Sequence, residues 1–199
     1  PAEDLCQHKN SDGEPIMILT DFNIDDLIIA TQDLDLAKSF TDHINNTWQI
    51  SSPDILTCYL GIHFQRLTCG GWSFSAKAYL QKAAEKYTRY PLHPHKTPLP
   101  TGFVATPAQD ETVPQERITH YQSIIGTLLY CATTVRFDIS YALSTLAQHL
   151  KNPSENLVKM AYRVLGYLLG TQDLAISYTR PSTAQEQNVL YGYTDAGFA

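Results

Sequence analysis

The chain has 199 residues, of which 43% are hydrophobic and 17% are charged, and its formal net charge is −6. A chain of this length and apolar content can bury one large core or two small ones, which excludes a disordered or low-complexity protein. No apolar run approaches the roughly 18 residues of a membrane span, and no signal-like segment opens the chain. We therefore expect an intracellular protein that does not bind a membrane.

The negative charge is unevenly distributed along the chain. Residues 66–96 carry six basic side chains against the single acid Glu85, a balance of +5, whereas the remainder carries −11. Interleaved with the basic residues are Tyr79, Tyr87 and Tyr90. This composition is typical of a surface that follows a phosphate backbone, and equally of a solvated helix face.

The cysteines and histidines indicate no metal or disulfide framework. The four cysteines are Cys6, Cys58, Cys69 and Cys131. They contain no C-x-x-C pair, so neither a zinc ribbon nor a set of disulfides is signalled. His93 and His95 could join Cys69 or His120 in a zinc site, but their spacing fits no short metal motif.

The first predicted elements are two strands that meet at a pair of carboxylates. Residues 16–19 and 27–30 are rich in Ile and Leu, and the polar run 21–26 between them is typical of a hairpin tip. Asp25 and Asp26 are adjacent there. Their mutual repulsion would be offset by Mg²⁺ or Mn²⁺, which prefer oxygen ligands, or the pair could lie in a solvated turn.

A helix and a second hairpin are predicted next. Apolar residues at helical spacing predict an amphipathic helix over residues 35–47. Residues 60–65 and 72–74 are strand candidates joined by a Cys-Gly-Gly turn.

A second helix is predicted over residues 76–90. Lys82, Lys86 and Arg89 recur on it at helical spacing. The basic stretch is therefore predicted to form a stripe along one side of this helix.

A Pro-, Thr- and Gly-rich stretch without periodicity, residues 91–114, follows this helix. It predicts a linker or an extended connection, and we place the main domain boundary there. Beyond it, apolar periodicity predicts helices over residues 118–131, 138–150 and 153–170. Core packing explains their apolar stripes, without a cofactor.

Cap residues support two of these helices. Asn152 is predicted as the N-cap of the last helix, with Pro153 at its first position and Glu155 at its third. Asp138 is predicted to cap the helix before it, and Gly170 to end the last one.

Two strand candidates close the chain, residues 174–179 and 189–193. Asp195 directly follows the second of them. An acid at a strand end can bind a metal, although it is more often a turn residue.

The order of these motifs resembles the C-terminal half of a Ty1/copia-type retrotransposon reverse transcriptase. The run NIDDLIIA at residues 23–30 is similar to the aromatic-Val-Asp-Asp palm motif of that family. The runs YLGI at residues 59–62 and GWSFS at residues 71–75 resemble its primer-grip region. Further similar segments are residues 79–82, 97–100, 121–130, 136–142 and 163–171.

The resemblance implies an α+β fold in four parts. Residues 1–90 would form part of the palm, with its antiparallel hairpins and packed helices, and residues 91–116 a connection. Residues 117–171 would form a helical thumb-like region, and residues 172–199 the truncated start of a ribonuclease H-like domain.

The resemblance also implies a chemistry, namely RNA-directed DNA synthesis by two-metal nucleotidyl transfer. Asp25 and Asp26 would bind Mg²⁺ or Mn²⁺, and Asp195 would be the first metal-binding acid of ribonuclease H. The substrates would be deoxynucleoside triphosphates and an RNA/DNA template-primer, in a cytoplasmic retroelement particle or in the nucleus. The template-primer contacts would come from Lys82, Lys86, Arg89, Leu60 and Gly61.

The chain departs from the family pattern near the acidic pair. Asn23 replaces an aromatic residue or His, and the polar Asp21 lies in an otherwise apolar strand. The family's third palm acid and its fingers would precede Pro1, so we expect half a polymerase site that is inactive alone. A non-catalytic nucleic-acid-binding or interaction module derived from a retroelement is the alternative. A self-associating remnant is the third interpretation.

Overall fold

The protein is an α+β chain that divides into two compact units, Pro1–Tyr59 and Leu60–Ala199. The structure is a computed structural model, and it describes residues 8–9, 15–16, 19–23, 26–31, 33–52, 54–109 and 112–179. None of the helices in these ranges is long and apolar enough to cross a membrane.

The described strands at the start of the first unit form two antiparallel pairs. Its strands are β1 (His8–Lys9), β2 (Pro15–Ile16), β3 (Leu19–Asn23) and β4 (Asp26–Ala30). β3 and β4 pair antiparallel, from Leu19 opposite Ala30 to Asn23 opposite Asp26. The predicted hairpin is confirmed, but its polar residues from Asp21 to Asn23 belong to β3 and not to the tip. The register leaves two residues between the strands, the commonest hairpin connection.

Helix α1 (Leu34–Thr47) confirms the helix predicted over residues 35–47. The Asp33 carboxylate caps it by accepting the backbone N–H of Asp35 at 2.9 Å and of Leu36 at 3.1 Å. Such caps satisfy N–H groups that have no partner inside the helix. Ile44 is buried, and a short strand, β5 (Cys58–Tyr59), ends the unit.

The second unit contains an antiparallel sheet in which β7 (Trp72–Ser75) lies between β6 (Ile62–Arg66) and β8 (Ile176–Tyr178). The second predicted hairpin is thereby confirmed. The late strand predicted over residues 174–179 is also present, but it pairs with β7. Residues 176–178 therefore belong to the same sheet as the hairpin.

Four α-helices pack around the core of the second unit. They are α2 (Lys77–Lys86), α3 (Gln115–Thr134), α4 (Ser140–Ala147) and α5 (Glu155–Gly170), with a 3₁₀ turn at Phe137–Ile139. α3 contributes Ile124 and Leu128, and α5 contributes Leu157, Leu165 and Leu168, all fully buried. Each such side chain stabilises the fold by roughly 1.5–3 kcal/mol.

The predicted end of α2 and the predicted N-cap of α5 are wrong. α2 ends at Lys86, short of residue 90, because Tyr87 is buried and its hydroxyl bonds to Ser123 and Thr127 of α3. The N-cap of α5 is Ser154, whose Oγ accepts the Leu157 N–H at 3.3 Å. The predicted cap Asn152 instead bonds to the backbone of residue 108, through both its side chain and its main chain.

Asp138, also predicted as a cap, instead forms an ion pair with the buried Arg136. Arg136 is 2% exposed and donates to both Asp138 carboxylate oxygens, at 2.9 and 2.8 Å. The Tyr167 hydroxyl donates to the same carboxylate at 2.7 Å, and Arg136 Nη1 donates to the Thr171 carbonyl at 3.0 Å. Burial raises the pKa of Asp138, but the hydrogen bonds from Arg136 and Tyr167 outweigh it and the net pKa is lowered.

The Pro-rich stretch contains no helix or strand in its described residues 91–109 and 112–114, but it packs against α5. We call residues 91–105 the strap. The His93 carbonyl lies directly against Gly166, Pro94 lies against Gly170, and Phe103 is half-buried on the core. The strap lies within the second compact unit, which begins at Leu60. The assignment of these parts to palm, thumb and ribonuclease H stays a prediction.

The contact of the strap with α5 can be tested with two glycine substitutions. A Cβ at Gly166 would overlap the His93 carbonyl oxygen, so Gly166→Ala should lower the free energy of unfolding by about 2–3 kcal/mol. Gly126 on α3 has open space around its Cα, so Gly126→Ala should raise it by about 0.5–1 kcal/mol. Urea unfolding measures both, and equal effects of the two substitutions would contradict the packing.

Candidate nucleic-acid interface

Helix α2 presents two of the predicted basic residues to solvent. Leu80 and Ala83 are buried against the core, which turns Lys82 and Lys86, one helical turn apart, outward. Within the described part of the chain, Lys82 has no hydrogen bond or ion pair. Lys86 Nζ donates to Ser123 Oγ of α3 at 3.1 Å and lies 5.0 Å from the centre of the Tyr87 ring. Both ammonium groups are available to an anionic ligand.

The third predicted residue, Arg89, lies beyond the end of α2 and is partly neutralised. Its Nη2 is 3.7 Å from Glu155 Oε1, and its guanidinium carbon is 5.7 Å from the centre of the Tyr90 ring. Arg117 Nε lies 3.3 Å from the other oxygen of Glu155, and the Tyr90 hydroxyl donates to the same carboxylate. Two cations share one acid, so this cluster retains a positive surplus. Such half-exposed pairs stabilise a fold by only about 0–1 kcal/mol.

His120 of α3 lies beside this cluster. One ring nitrogen is 3.1 Å from the Tyr162 hydroxyl, and the imidazole stacks on the Tyr162 ring with centres 5.8 Å apart. Burial lowers the pKa of His120, and the positive charges of Arg89 and Lys86 lower it further, against the opposite effect of Glu116. The imidazole is therefore neutral at pH 7 and acts as a hydrogen-bonding group.

We call the surface formed by Lys82, Lys86, Arg89, Arg117 and His120 the basic face. The sequence did not indicate that Arg117 and His120 belong to this surface, and His120 was considered only as a zinc ligand. They belong to α3, and only the packing of α3 against α2 and α5 brings them beside Arg89 and Glu155. Periodicity within one helix could not have indicated this.

The predicted primer-grip residues Leu60 and Gly61 form a tight turn before β6. Both have positive φ, 51° and 80°. The Leu60 carbonyl accepts the Tyr130 hydroxyl, and a Cβ at Gly61 would lie 3.3 Å from the Tyr79 ring. Gly61 is thus suited to the turn by its backbone freedom and its lack of a side chain. Leu60 is 40% exposed, so its side chain is accessible to a ligand.

The predicted acidic residues cannot be compared with the geometry in the same way. Asp25 and Asp195 lie outside the described residues, and Asp26 begins β4, with its backbone opposite Asn23. Among the residues that the structure describes, no three His, Cys, Asp or Glu side chains form a group that could hold a metal ion. The zinc site considered for His93 and His95 therefore has no support.

Sequence comparisons connect the chain to mobile genetic elements. It is 32% identical over 202 residues to a transposon Ty5-1 protein of Saccharomyces cerevisiae, an alignment that covers 96% of this chain and 62% of that protein. It is 30% identical over 176 residues to the retrovirus-related Pol polyprotein from transposon RE2 of Arabidopsis thaliana, covering 88% of this chain and 12% of the polyprotein. A truncated transposon Ty1-A Gag-Pol polyprotein of S. cerevisiae is 29% identical over 45% of the chain, covering 7% of the polyprotein.

The chain is homologous to Ty1/copia-type retrotransposon Pol polyproteins. No family model matches it, and no solved structure matches it significantly. The chain spans about three fifths of the Ty5-1 protein and about an eighth of the RE2 Pol polyprotein. The alignment with the Ty5-1 protein covers 96% of the chain and therefore includes the basic face.

The electrostatic coupling inside the basic face can be measured on His120. Arg89→Ala removes a positive charge that lowers its pKa, so the pKa of His120 should rise toward the ordinary value of about 6.5. In the unaltered chain the pKa of His120 is lower in the folded state than in the unfolded state. The unfolded chain therefore binds more protons as the pH falls below about 6.5, and His120 lowers the free energy of unfolding there. NMR titration of the imidazole measures the pKa. Lys151→Ala, which alters no residue of the basic face, should leave it unchanged; an unchanged value in Arg89→Ala would contradict the coupling.

Proposed function

We propose that this chain supplies part of a retrotransposon reverse transcriptase and that its basic face holds an RNA/DNA template-primer. Homology to retrotransposon Pol supports the origin of the chain. The observation that carries the proposal is the pair Lys82 and Lys86, which are exposed on a helix whose opposite side is buried. Lysines in this arrangement contact backbone phosphates without reading sequence.

The rest of the basic face suits the same ligand. Arg89 and Arg117 share Glu155, so an incoming phosphate can take over part of their pairing without leaving an isolated buried charge. Tyr90 lies beside them and offers an aromatic surface for sugars or bases. Leu60 and Gly61 would contact the primer strand from the exposed turn before β6.

The catalytic part of the proposal concerns Asp25 and Asp26. Asp26 begins β4, and Asp25 directly precedes it in the sequence. Two adjacent carboxylates are a donor set that suits Mg²⁺ or Mn²⁺. Bound there, such an ion would activate a 3′-hydroxyl and stabilise the leaving pyrophosphate of a deoxynucleoside triphosphate. Asp195 would be a metal-binding acid of a ribonuclease H part.

Template-primer binding tests the basic face. A Lys82→Ala/Lys86→Ala variant should bind a short RNA/DNA hybrid roughly tenfold more weakly at moderate salt, and its dependence of log K on log salt should be shallower by about two. Fluorescence anisotropy across a salt series measures both quantities. Arg89 is left in place because its removal would also take away one of the two cations that pair with Glu155.

The matched control is Lys38→Ala/Lys151→Ala. It removes the same charge from α1 and from the turn after α4, so it should retain both the affinity and the salt dependence of the unaltered chain. Equal losses in the two variants would mean that only net charge matters, and they would contradict a defined basic face.

Primer extension tests the acidic pair. In a longer Pol protein that contains this chain, Asp25→Asn should reduce extension by at least a thousandfold, because a neutral amide is a poor ligand for a hard divalent ion. Template-primer binding should be unchanged in the same variant. Undiminished extension would exclude the metal-binding role, and binding that is indifferent to Mg²⁺ without any extension would favour a non-catalytic module.

A further inference from the structure

A second cationic feature lies between the strap and α5, next to Tyr90. It is a cleft of about 270 Å³ lined by Tyr90, His93, His95, Lys159, Tyr162 and Arg163. We call it the strap cleft. Strap residues line one side of it and α5 residues the other, and the contacts of Gly166 and Gly170 with residues 93–95 hold the strap against α5. Neither composition nor helical spacing indicated it.

Arg163 is only partly satisfied in this cleft. Its Nη1 lies 3.1 Å from His95 Nδ1, and its Nη2 lies 3.5 Å from both the carbonyl and the hydroxyl oxygen of Thr97. Its Nε is buried and has no hydrogen-bond partner. A guanidinium has five N–H donors and cannot be deprotonated, so Arg163 has donor capacity that the described protein does not use.

The contact with Arg163 sets the protonation state of His95. Arginine can only donate, so Nδ1 of His95 is the acceptor and the proton of the neutral imidazole is on Nε2. Burial lowers the pKa of His95, and the charge of Arg163 lowers it further. At pH 7 the histidine therefore offers the cleft a neutral N–H donor.

No acid among the described residues pairs with the cations of the cleft. In the ranges that the structure describes, neither Lys159 nor Arg163 forms an ion pair with an acid. Glu155, one turn before Lys159 on α5, is engaged with Arg89 and Arg117. Two cations and an N–H donor around a concave, partly buried surface are the arrangement that stabilises an anion.

We propose that the strap cleft binds a phosphate group. Arg163 supplies a planar fork that matches phosphate oxygens, and Lys159 supplies a point charge. Tyr90 and Tyr162 border the cleft with aromatic rings 5.0 Å apart, as in sites that pack sugars or bases.

The phosphate belongs to the nucleic acid held on the basic face. Arg89, a residue of that face, lies over the ring of Tyr90, which lines the cleft, so the two surfaces adjoin. This assignment of the source rests on the proposed function, whereas the phosphate site itself does not.

Inorganic phosphate tests the site without any variant. The chain has seven histidines, whose ring signals can be followed by NMR. Titration with phosphate at pH 7 should shift the signals of His95 and His93 saturably. Unshifted His95 and His93 signals would overturn the proposal. A glutamate peptide of matched charge should shift them less, and an equal response would assign the cleft to an acidic protein partner and overturn the phosphate assignment.

Template-primer binding identifies the source of the phosphate. The variant Lys159→Ala/Arg163→Lys should weaken binding of the RNA/DNA hybrid about five- to tenfold. Its slope of log K against log salt should be shallower by about one. The Lys38→Ala/Lys151→Ala control should be unaffected. Arg163→Lys retains the charge, and the single variant Lys159→Ala alters only an exposed side chain, so a folding defect in the double variant would not hide the result.

The two proposals fail in distinguishable ways. If Lys82→Ala/Lys86→Ala weakens binding while the cleft variant matches the control and phosphate leaves His95 unshifted, the cleft proposal is overturned and the basic face stands. If phosphate shifts His95 but no hybrid binds even at low salt, the phosphate site stands and the proposed function is overturned.

Discussion

Helix α5 can organise the second unit because its inner face is completely buried. Leu157, Leu165 and Leu168 hold it against α3, so its position along its own axis is defined by side-chain packing. The features on its outer face are positioned by the same contacts. Glu155 in the first turn of α5 forms ion pairs with two arginines. Gly166 has no side chain, so the strap can approach the α5 backbone there. Both cationic surfaces therefore depend on apolar contacts that carry no charge.

The net charge of the chain does not describe these surfaces. Screening at physiological salt limits the interaction of exposed charges to about 8 Å, so acids elsewhere in the chain cannot cancel a local surplus. Glu155 is the acid at the centre of the basic face, and it is shared by Arg89 and Arg117. A chain of charge −6 can consequently present a surface that attracts a polyanion.

Much of the fold could be predicted from the sequence, and the failures have a common physical cause. The hairpin of β6 and β7 and helices α1, α3 and α5 were found because periodicity and turn residues are local signals. The end of α2 was not predicted because Tyr87 is held by hydrogen bonds to α3. The cap Ser154 was not predicted because Asn152 is an equally plausible cap residue, and only the structure shows that it bonds to Ala108. The strap and the pairing of β8 were missed because composition does not report long-range contacts.

The residues of the candidate site likewise divide into those that local sequence patterns predict and those that only tertiary packing brings together. Lys82 and Lys86 could be predicted, since both residues lie on one helix and helical spacing places them together. Arg117 could not, because only tertiary packing brings α3 beside Glu155. The acidic pair was identified by its adjacency in the sequence and by resemblance, and the described residues include only the backbone of its second member.

The contacts within the fold do not explain why residue 163 is an arginine. Leaving its buried Nε without a partner costs about 1–3 kcal/mol, and an apolar side chain of similar length could fill the same space beside Met160 and the strap without that cost. The hydrogen bond from Arg163 to His95 contributes little to stability, because it requires a neutral imidazole next to a cation. A phosphate bound in the cleft would accept hydrogen bonds from the N–H groups of Nη1 and Nη2 that the described protein leaves unused, and it would offset the charge of Lys159 at the same time. The proposed phosphate would therefore account for a guanidinium in this position, and the adjoining basic face favours a nucleic acid as its source.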